Sequence, residues 1–190
     1  MRIRDENKVE AIYDATIQLV NEIGFAEASI SKIAKKANVS AATIYIYHEN
    51  KEDLLLKTYL KIKSKMSERM FQRLDKTRTV KEQFDSIIRN YVEFIVTFKE
   101  YFLFLEQIMT SPLPQRWCLD DTASLFQPIF EMYEMGKIQG LFKQQDVRML
   151  IMYSILPIAK LAKAHLQNGT QFEDRQLNAA IGMSWDAIKL

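Results

Sequence analysis

The chain has 190 residues, a formal net charge of +2 and one cysteine. Apolar residues at 48% exclude a disordered chain, and the scarcity of Gly (5) and Pro (4) argues against a turn-rich all-β fold and for helices. The length suits one good core or a small domain fused to a larger one, and the small positive charge permits a nucleic-acid partner without indicating one. The lone Cys118 excludes an intramolecular disulfide framework and a cysteine-based zinc site; it reads as a packed, reduced thiol.

The N-terminus, "MRIRDENKVEAIYD", is charged and lacks the apolar core of a signal peptide. Asp5 to Ile23 reads as a first helix, with Val9, Ile12, Tyr13, Thr16, Val20 and Ile23 at helical spacing and Gly24 as its stop. In "ASISKIAKKANVS", Ser29 caps a short second helix in which Ile30, Ile33, Ala34 and Ala37 share a face. Asn38 suits a tight turn because it tolerates left-handed backbone, and Ser40 caps the next helix.

That next segment, Thr43-Ile44-Tyr45-Ile46-Tyr47, is β-branched and aromatic, which by intrinsic preference is strand material. Its flanks point instead to a helix-turn-helix: a first helix over about 30–37, a turn at 38–40 and a second helix over about 41–47. On that helix Ile44 and His48 face inward, while Ala41, Ala42, Tyr45 and Ile46 face outward. An outward Tyr45 and Ile46 make sense in a DNA groove, where a tyrosine hydroxyl reaches phosphate and an apolar side chain touches a thymine methyl.

"ENKEDLL" opens a fourth helix, with Asn50 as N-cap and Asp53 at the third helical position. It runs to about Leu74 with Lys57, Lys61, Lys63, Lys65, Arg69 and Arg73 on its outer surface, and "KTRT" then reads as a linker. Further helices are expected over about 79–99, 101–109, 119–138, 146–167 and 173–188, separated by the loop "TSPLPQRW", Gly140 and "NGT". The longest apolar run, "MLIMYSILPIAKLA", is interrupted by Pro157 and Lys160, so no membrane span is expected. Glycine-rich phosphate loops, nucleophile elbows and His/carboxylate metal spacings are absent from the sequence, so no enzyme, metal or cofactor is expected.

The segment "SISKIAKKANVSAATIYIYHENKEDLL" (29–55) resembles the signature of the TetR family of bacterial transcriptional regulators. Ser29, Ile33-Ala34, Val39-Ser40, Thr43-Ile44-Tyr45 and Lys51-Glu52-Asp53-Leu54 stand at the family's offsets, and the likeness covers about residues 5–60. Two positions depart from the pattern. Asn38 stands where glycine is usual. His48 stands where a buried phenylalanine usually ends the recognition helix, so it either packs in that slot or faces phosphate while Tyr47 packs.

The resemblance implies an all-α protein of about nine helices. A helix-turn-helix domain (1–50) would be joined through helix 4 (51–74) to an effector-binding and dimerisation domain (75–190). DNA contacts are then expected from Ser40, Ala41, Ala42, Thr43, Tyr45, Ile46, Tyr47, His48 and Lys51, the last also because it opens a helix whose free N–H groups favour an anion. Lys32, Lys35 and Lys36 form an electrostatic rim.

The implied function is a cytoplasmic, nucleoid-associated repressor that binds a palindromic operator as a homodimer. A small, largely hydrophobic or aromatic effector would release it by swinging helix 4. The other reading is a DNA-binding module whose second domain binds a protein partner.

Candidate effector contacts are Phe98, Phe102, Glu106, Met109, Phe130 and Tyr133, from a region rich in aromatics and Met. Glu106 on an apolar stripe would receive a cationic effector, or be a rim carboxylate that is solvated or paired with lysine. Two stripes near the chain end supply candidate dimer contacts: Ile151, Ile158, Leu161 and His165 on one, Leu177, Ile181 and Trp185 on the other. The alternative for these stripes is burial within one subunit.

Overall fold

The computed structural model describes residues 2–115, 117, 120–170 and 172–190; the side chains of 2–5, 115, 120 and 121 are not described. Cys118 lies outside the described residues. These contain eleven α-helices and a short 3-10 turn: α1 (Arg2–Glu27), α2 (Ile30–Lys36), α3 (Ala41–Tyr47), α4 (Lys51–Met70), α5 (Val80–Thr97), α6 (Lys99–Met109), α7 (Asp120–Leu125), α8 (Gln127–Ile138), α9 (Val147–Ser154), α10 (Leu156–Asn168) and α11 (Asp174–Ile188).

The excess over nine has a local cause. The expected helix 119–138 divides at Phe126 (φ −108°, ψ 10°), just before Pro128, and 146–167 divides at Ile155, just before Pro157. A proline ring cannot donate the helical hydrogen bond and clashes with the carbonyl four residues back, so each helix restarts with proline in its first turn. The fourth helix ends at Met70, four residues before the expected Leu74, and Arg73 follows with φ 58°.

Packing groups the chain into two compact units, residues 1–64 with 100–122 and residues 65–99 with 123–190. In the first, α1 packs on α2 and α2 on α3. Ile12, Val20, Ile33, Ile44, Leu54 and Leu55 are buried, and the buried hydroxyls of Thr16 and Thr58 donate to the carbonyls of Ile12 and Leu54 at 2.7 Å. Gly24 breaks α1 internally with φ 82° and ψ 158°, at the expected stop. The described residues of 100–122, expected in the second domain by sequence order, group with this unit. Asn21 Nδ2 donates to the carbonyl and carboxylate of Glu100 at 2.9 and 2.8 Å, and the Tyr59 and Trp117 rings lie 5.4 Å apart.

In the second unit α5 lies against α8, α10 and α11, and α9 against α8, α10 and α11. Thr79, the last residue of the expected linker and the expected start of the next helix, caps α5 with Glu82 in a reciprocal capping box. Phe84, Tyr133, Phe142 and Trp185 form an aromatic cluster with edge-to-face or tilted rings 5.0–6.4 Å apart. An isolated antiparallel bridge between Phe142 and Lys189 ties the chain end to the α8–α9 loop.

Val147–Asn168 is long and apolar enough, by length and composition, to cross a membrane, with a mean hydropathy of 1.3 over its most apolar window. Pro157 divides this stretch at Ile155 into α9 and α10, as the sequence suggests, whereas Lys160 lies within α10 and interrupts no helix. The stretch's apolar side chains divide between the core (Leu150, Ile155, Ile158, Ala159, Ala162) and an exposed face (Met149, Met152, Tyr153, Leu156, Leu161).

Candidate nucleic-acid interface

The turn between α2 and α3 is built by local chemistry. Ser29 Oγ accepts from Lys32 N at 3.3 Å to start α2, and Ser40 Oγ accepts from Thr43 N at 3.1 Å to start α3. Between them Asn38 takes the left-handed conformation (φ 54°), the role that glycine fills more readily and Asn tolerates. The strand-like pentapeptide is helical because it is only part of a seven-residue helix, fixed at one end by Ser40 and on one side by buried Ile44. Capping and burial outweigh a weak local preference.

The outer face of α3 is exposed and apolar. Tyr45 is 56% and Ile46 75% exposed, Ala42 is exposed, and Ala41, Thr43 and Tyr47 are half-buried. Ser40 is exposed, and its hydroxyl lies 2.9 Å from that of Thr43.

His48 turns the other way. It is 3% exposed, its ring meets Tyr13 edge-on at 5.7 Å, and Nδ1 lies 3.5 Å from Asp53 Oδ2. Neither ring nitrogen has a hydrogen-bond partner among the described residues. Burial, and then the Lys57 ammonium, hold the imidazole below its ordinary pKa against the pull of Asp53. Of the two alternatives for His48, the structure shows packing: a side chain this enclosed presents no atom to a phosphate.

Two lysines of α4 hold helix ends. Lys57 Nζ donates to the carbonyl of Tyr47, the last residue of α3, at 3.1 Å and to Asp53 Oδ2 at 2.9 Å. Lys51 Nζ donates to the carbonyl of Ala26 at 2.9 Å, so its ammonium faces the end of α1 rather than its own helix N-terminus. Asn50 Oδ1 accepts from Asp53 N at 2.9 Å, and Asp53 Oδ2 accepts from Glu49 N at 3.1 Å. Lysine at a helix C-terminus is favourable because unpaired carbonyls and the dipole present negative charge there.

Of the rim lysines, Lys36 pairs with Glu22 at 2.7 Å and Lys32 lies 3.9 Å from Glu27. Lys63, expected on the outer surface, is half-buried, and burial pushes its ammonium down to about 8. Lys57 was legible only as an outward charge; its bond to a backbone carbonyl ten residues earlier depends on how α3 and α4 pack.

The helix-turn-helix and the rest of the chain each have relatives. Residues 12–58 match the family described as "Bacterial regulatory proteins, tetR family", and residues 79–189, more than half of the chain, match "Tetracyclin repressor-like, C-terminal domain". The chain belongs to the TetR family of bacterial transcriptional regulators.

A TetR family transcription regulator from Marinobacter aquaeolei VT8 is 28% identical, with a TM-score of 0.87 over 100% of this chain and 99% of that one. The "Fatty acid metabolism regulator protein" of Bacillus subtilis is 34% identical over 84 residues, 44% of this chain and 43% of that protein. An uncharacterized HTH-type transcriptional regulator of Haemophilus influenzae is 33% identical over 95 residues, 50% of this chain and 51% of that protein. The matches thus span about half the length of these two curated relatives. A structure of FadR from Bacillus subtilis in complex with stearoyl-CoA shares the fold, with a TM-score of 0.77 at 22% identity over 94% of this chain and 98% of that one.

In this TetR-family protein the candidate effector residues fall into both units. Phe102 is buried, Glu106 half-buried and Met109 exposed in the first; Phe98 and Phe130 are half-buried and Tyr133 fully buried in the second. Tyr133 shares a hydrogen bond with Ser154, whose hydroxyl lies 2.7 Å from the carbonyl of Leu150. Phe98 lines a cavity of about 20 Å³ with Arg69 and Phe94. A larger cavity of about 290 Å³ in the same unit is lined by Lys76, Arg78, Val80, Glu131, Met132 and Met135, and by none of the candidate effector residues.

The candidate dimer stripes are mostly spent inside the subunit. Ile158, Leu177 and Ile181 are at most 8% exposed. Trp185 packs on Phe84 and Phe142, and half-buried His165 stacks on Phe172 at 4.8 Å. Ile151 is half-buried, and Leu161 is exposed. Leu161 and the edge of Ile158 border an apolar groove of about 230 Å³ that is also lined by Tyr153, Pro157, Met183 and Ala187. An amphipathic helix between two neighbours has apolar residues on both faces, and periodicity alone does not say which neighbour belongs to the same chain.

Proposed function

We propose that this protein is a repressor that binds a palindromic operator as a homodimer in the bacterial cytoplasm and is released by a small, largely apolar or aromatic effector. The observation that carries the reading is the face of α3, where Tyr45 and Ile46 stand 56% and 75% exposed on a helix capped at Ser40 and clamped by Lys57. Large apolar side chains on a surface meant only for water lower solubility; in a DNA groove they read base edges. Ser40, Ala41, Ala42, Thr43, Tyr45, Ile46 and Tyr47 are the proposed contacts. Lys51 joins them if its ammonium leaves Ala26 for a phosphate.

Dimerisation is supported by the apolar face of Tyr153, Leu161 and Met183 on α9, α10 and α11. A two-fold axis would set two α3 helices on half-sites about one DNA turn apart. The effector reading is supported by the resemblance to a fatty acid metabolism regulator and by the aromatic and Met content of the region that includes Phe98, Phe102, Glu106, Met109, Phe130 and Tyr133. Release requires that the effector bind the DNA-incompetent state better. The test is a gel shift of the full chain on duplexes selected from a random library. A palindromic site retained over random DNA, weakened by salt and by long-chain acyl thioesters, is expected. No preference for any duplex at low salt would end the operator reading.

A further inference from the structure

The stretch that forms α3 and its ends, Val39–His48, contains no Arg, Lys, Asn, Gln, Asp or Glu. Those residue types make the side-chain hydrogen bonds that distinguish guanine, adenine and cytosine in the major groove: Arg or Lys for G, Asn or Gln for A, Asp or Glu for the C amino group. Of the other polar rings in the stretch, His48 is buried against Tyr13 and Asp53, and Tyr47 is half-buried at the end of α3 with its carbonyl held by Lys57. Ser40 Oγ accepts from Thr43 N and lies 2.9 Å from the Thr43 hydroxyl, so the two hydroxyls already partner each other at the start of the helix. The Tyr45 hydroxyl, at the end of a long exposed side chain, suits a phosphate. What remains facing outward, one helical turn apart on one face, is Ala42 and the 75%-exposed Ile46.

From this inventory we infer that Ile46 is a specificity-determining residue that reads thymine through its C5-methyl group, so that each operator half-site carries thymine opposite α3. This rests on the operator-binding reading above and adds to it the chemistry of the base that is read. Thymine is the base with a methyl on its major-groove edge, and an apolar side chain is the group that gains by burying it. Without ionic or amide readers on α3, discrimination comes from excluded water and shape. Guanine and cytosine at the same step are rejected because their polar edges would be desolvated against isoleucine without a partner.

The experiment uses the full chain and the duplex selected in the previous test. Each thymine of a half-site is replaced in turn by uracil, which removes the methyl and leaves every hydrogen-bonding group in place. At one or two positions per half-site the wild-type protein is expected to lose about fourfold in affinity, the worth of one buried methyl. Ile46→Ala is expected to bind the thymine and uracil duplexes equally well, both more weakly than the wild type binds the thymine duplex, and to keep its wild-type unfolding temperature because Ile46 is exposed. Specific binding with no uracil effect at any position, or an equal uracil effect in Ile46→Ala, overturns the inference and leaves the operator reading standing. Failure to select any site over random DNA overturns both.

Discussion

Lys57 Nζ lies 3.1 Å from the carbonyl of Tyr47 and 2.9 Å from Asp53 Oδ2, and so ties the last residue of α3 to the first turn and a half of α4. The ammonium satisfies a helix-end carbonyl that would otherwise face water alone, and it fixes the exit of the exposed helix relative to its neighbour. Lys57→Met removes both bonds while keeping the length of the stem. Because the pair is partly exposed, a stability loss of only about 0.5–1 kcal/mol is expected. Operator affinity should fall several-fold beyond what the loss of one exposed charge explains, with Lys65→Met as the comparison. Equal affinities for the two variants would remove Lys57 from any positioning role.

His48 is expected to make the fold sensitive to acid. Burial, with Lys57, holds its folded-state pKa below the ordinary 6.5, so the unfolded chain binds the proton more readily. Its contribution to stability is therefore present above about 6.5 and is lost as pH falls below that value towards the folded-state pKa. His48→Phe removes the titrating ring and keeps a flat aromatic against Tyr13. Thermal unfolding from pH 7.5 to 5 should show the wild type losing more than the variant, and parallel curves would show that His48 carries none of the acid sensitivity.

Gly136 has no room for a side chain. A Cβ there would meet the Phe142 ring at 2.3 Å, and Phe142 is fully buried between Tyr133 and Trp185. Gly136→Ala is expected to destabilise by about 1–3 kcal/mol, seen as a lower denaturant midpoint. Gly182→Ala, with nothing within 4 Å of its Cβ, is the control and should be neutral or slightly stabilising because alanine is the better helix former.

The two faces of α11 should respond differently. Ile181→Ala empties a core site that is 2% exposed and should cost about 2–5 kcal/mol without altering subunit association in the remaining folded protein. Met183→Glu, at a position 74% exposed beside the apolar groove, should leave monomer stability nearly unchanged and raise the dimer dissociation constant in sedimentation. A Met183→Glu dimer as tight as the wild type would place association on another surface.

The local signals in the sequence were the reliable ones. Ser29, Ser40 and Asn50 all cap where their residue types and spacing point, Asn38 takes the left-handed turn, and Gly24 breaks α1. Each of these depends on atoms within a few residues of chain. Boundaries that depend on longer stretches drifted: α4 ends early, and Pro128 and Pro157 each divide a helix that periodicity joined. The stripe through Leu177, Ile181 and Trp185 was visible, but its destination was not.

The sequence by itself determined an all-helical chain with a capped helix-turn-helix and an outward Tyr45 and Ile46, because capping, turn chemistry and helical spacing act over three or four residues. Only the tertiary structure decided that His48 packs against Tyr13 and Asp53 and that Lys57 holds the end of α3. It also decided which face of α11 is core, because each of these depends on neighbours that approach from distant parts of the chain. A buried slot accepts either phenylalanine or a neutral imidazole, and the residues around His48 do not record that Tyr13, from α1, will line that slot.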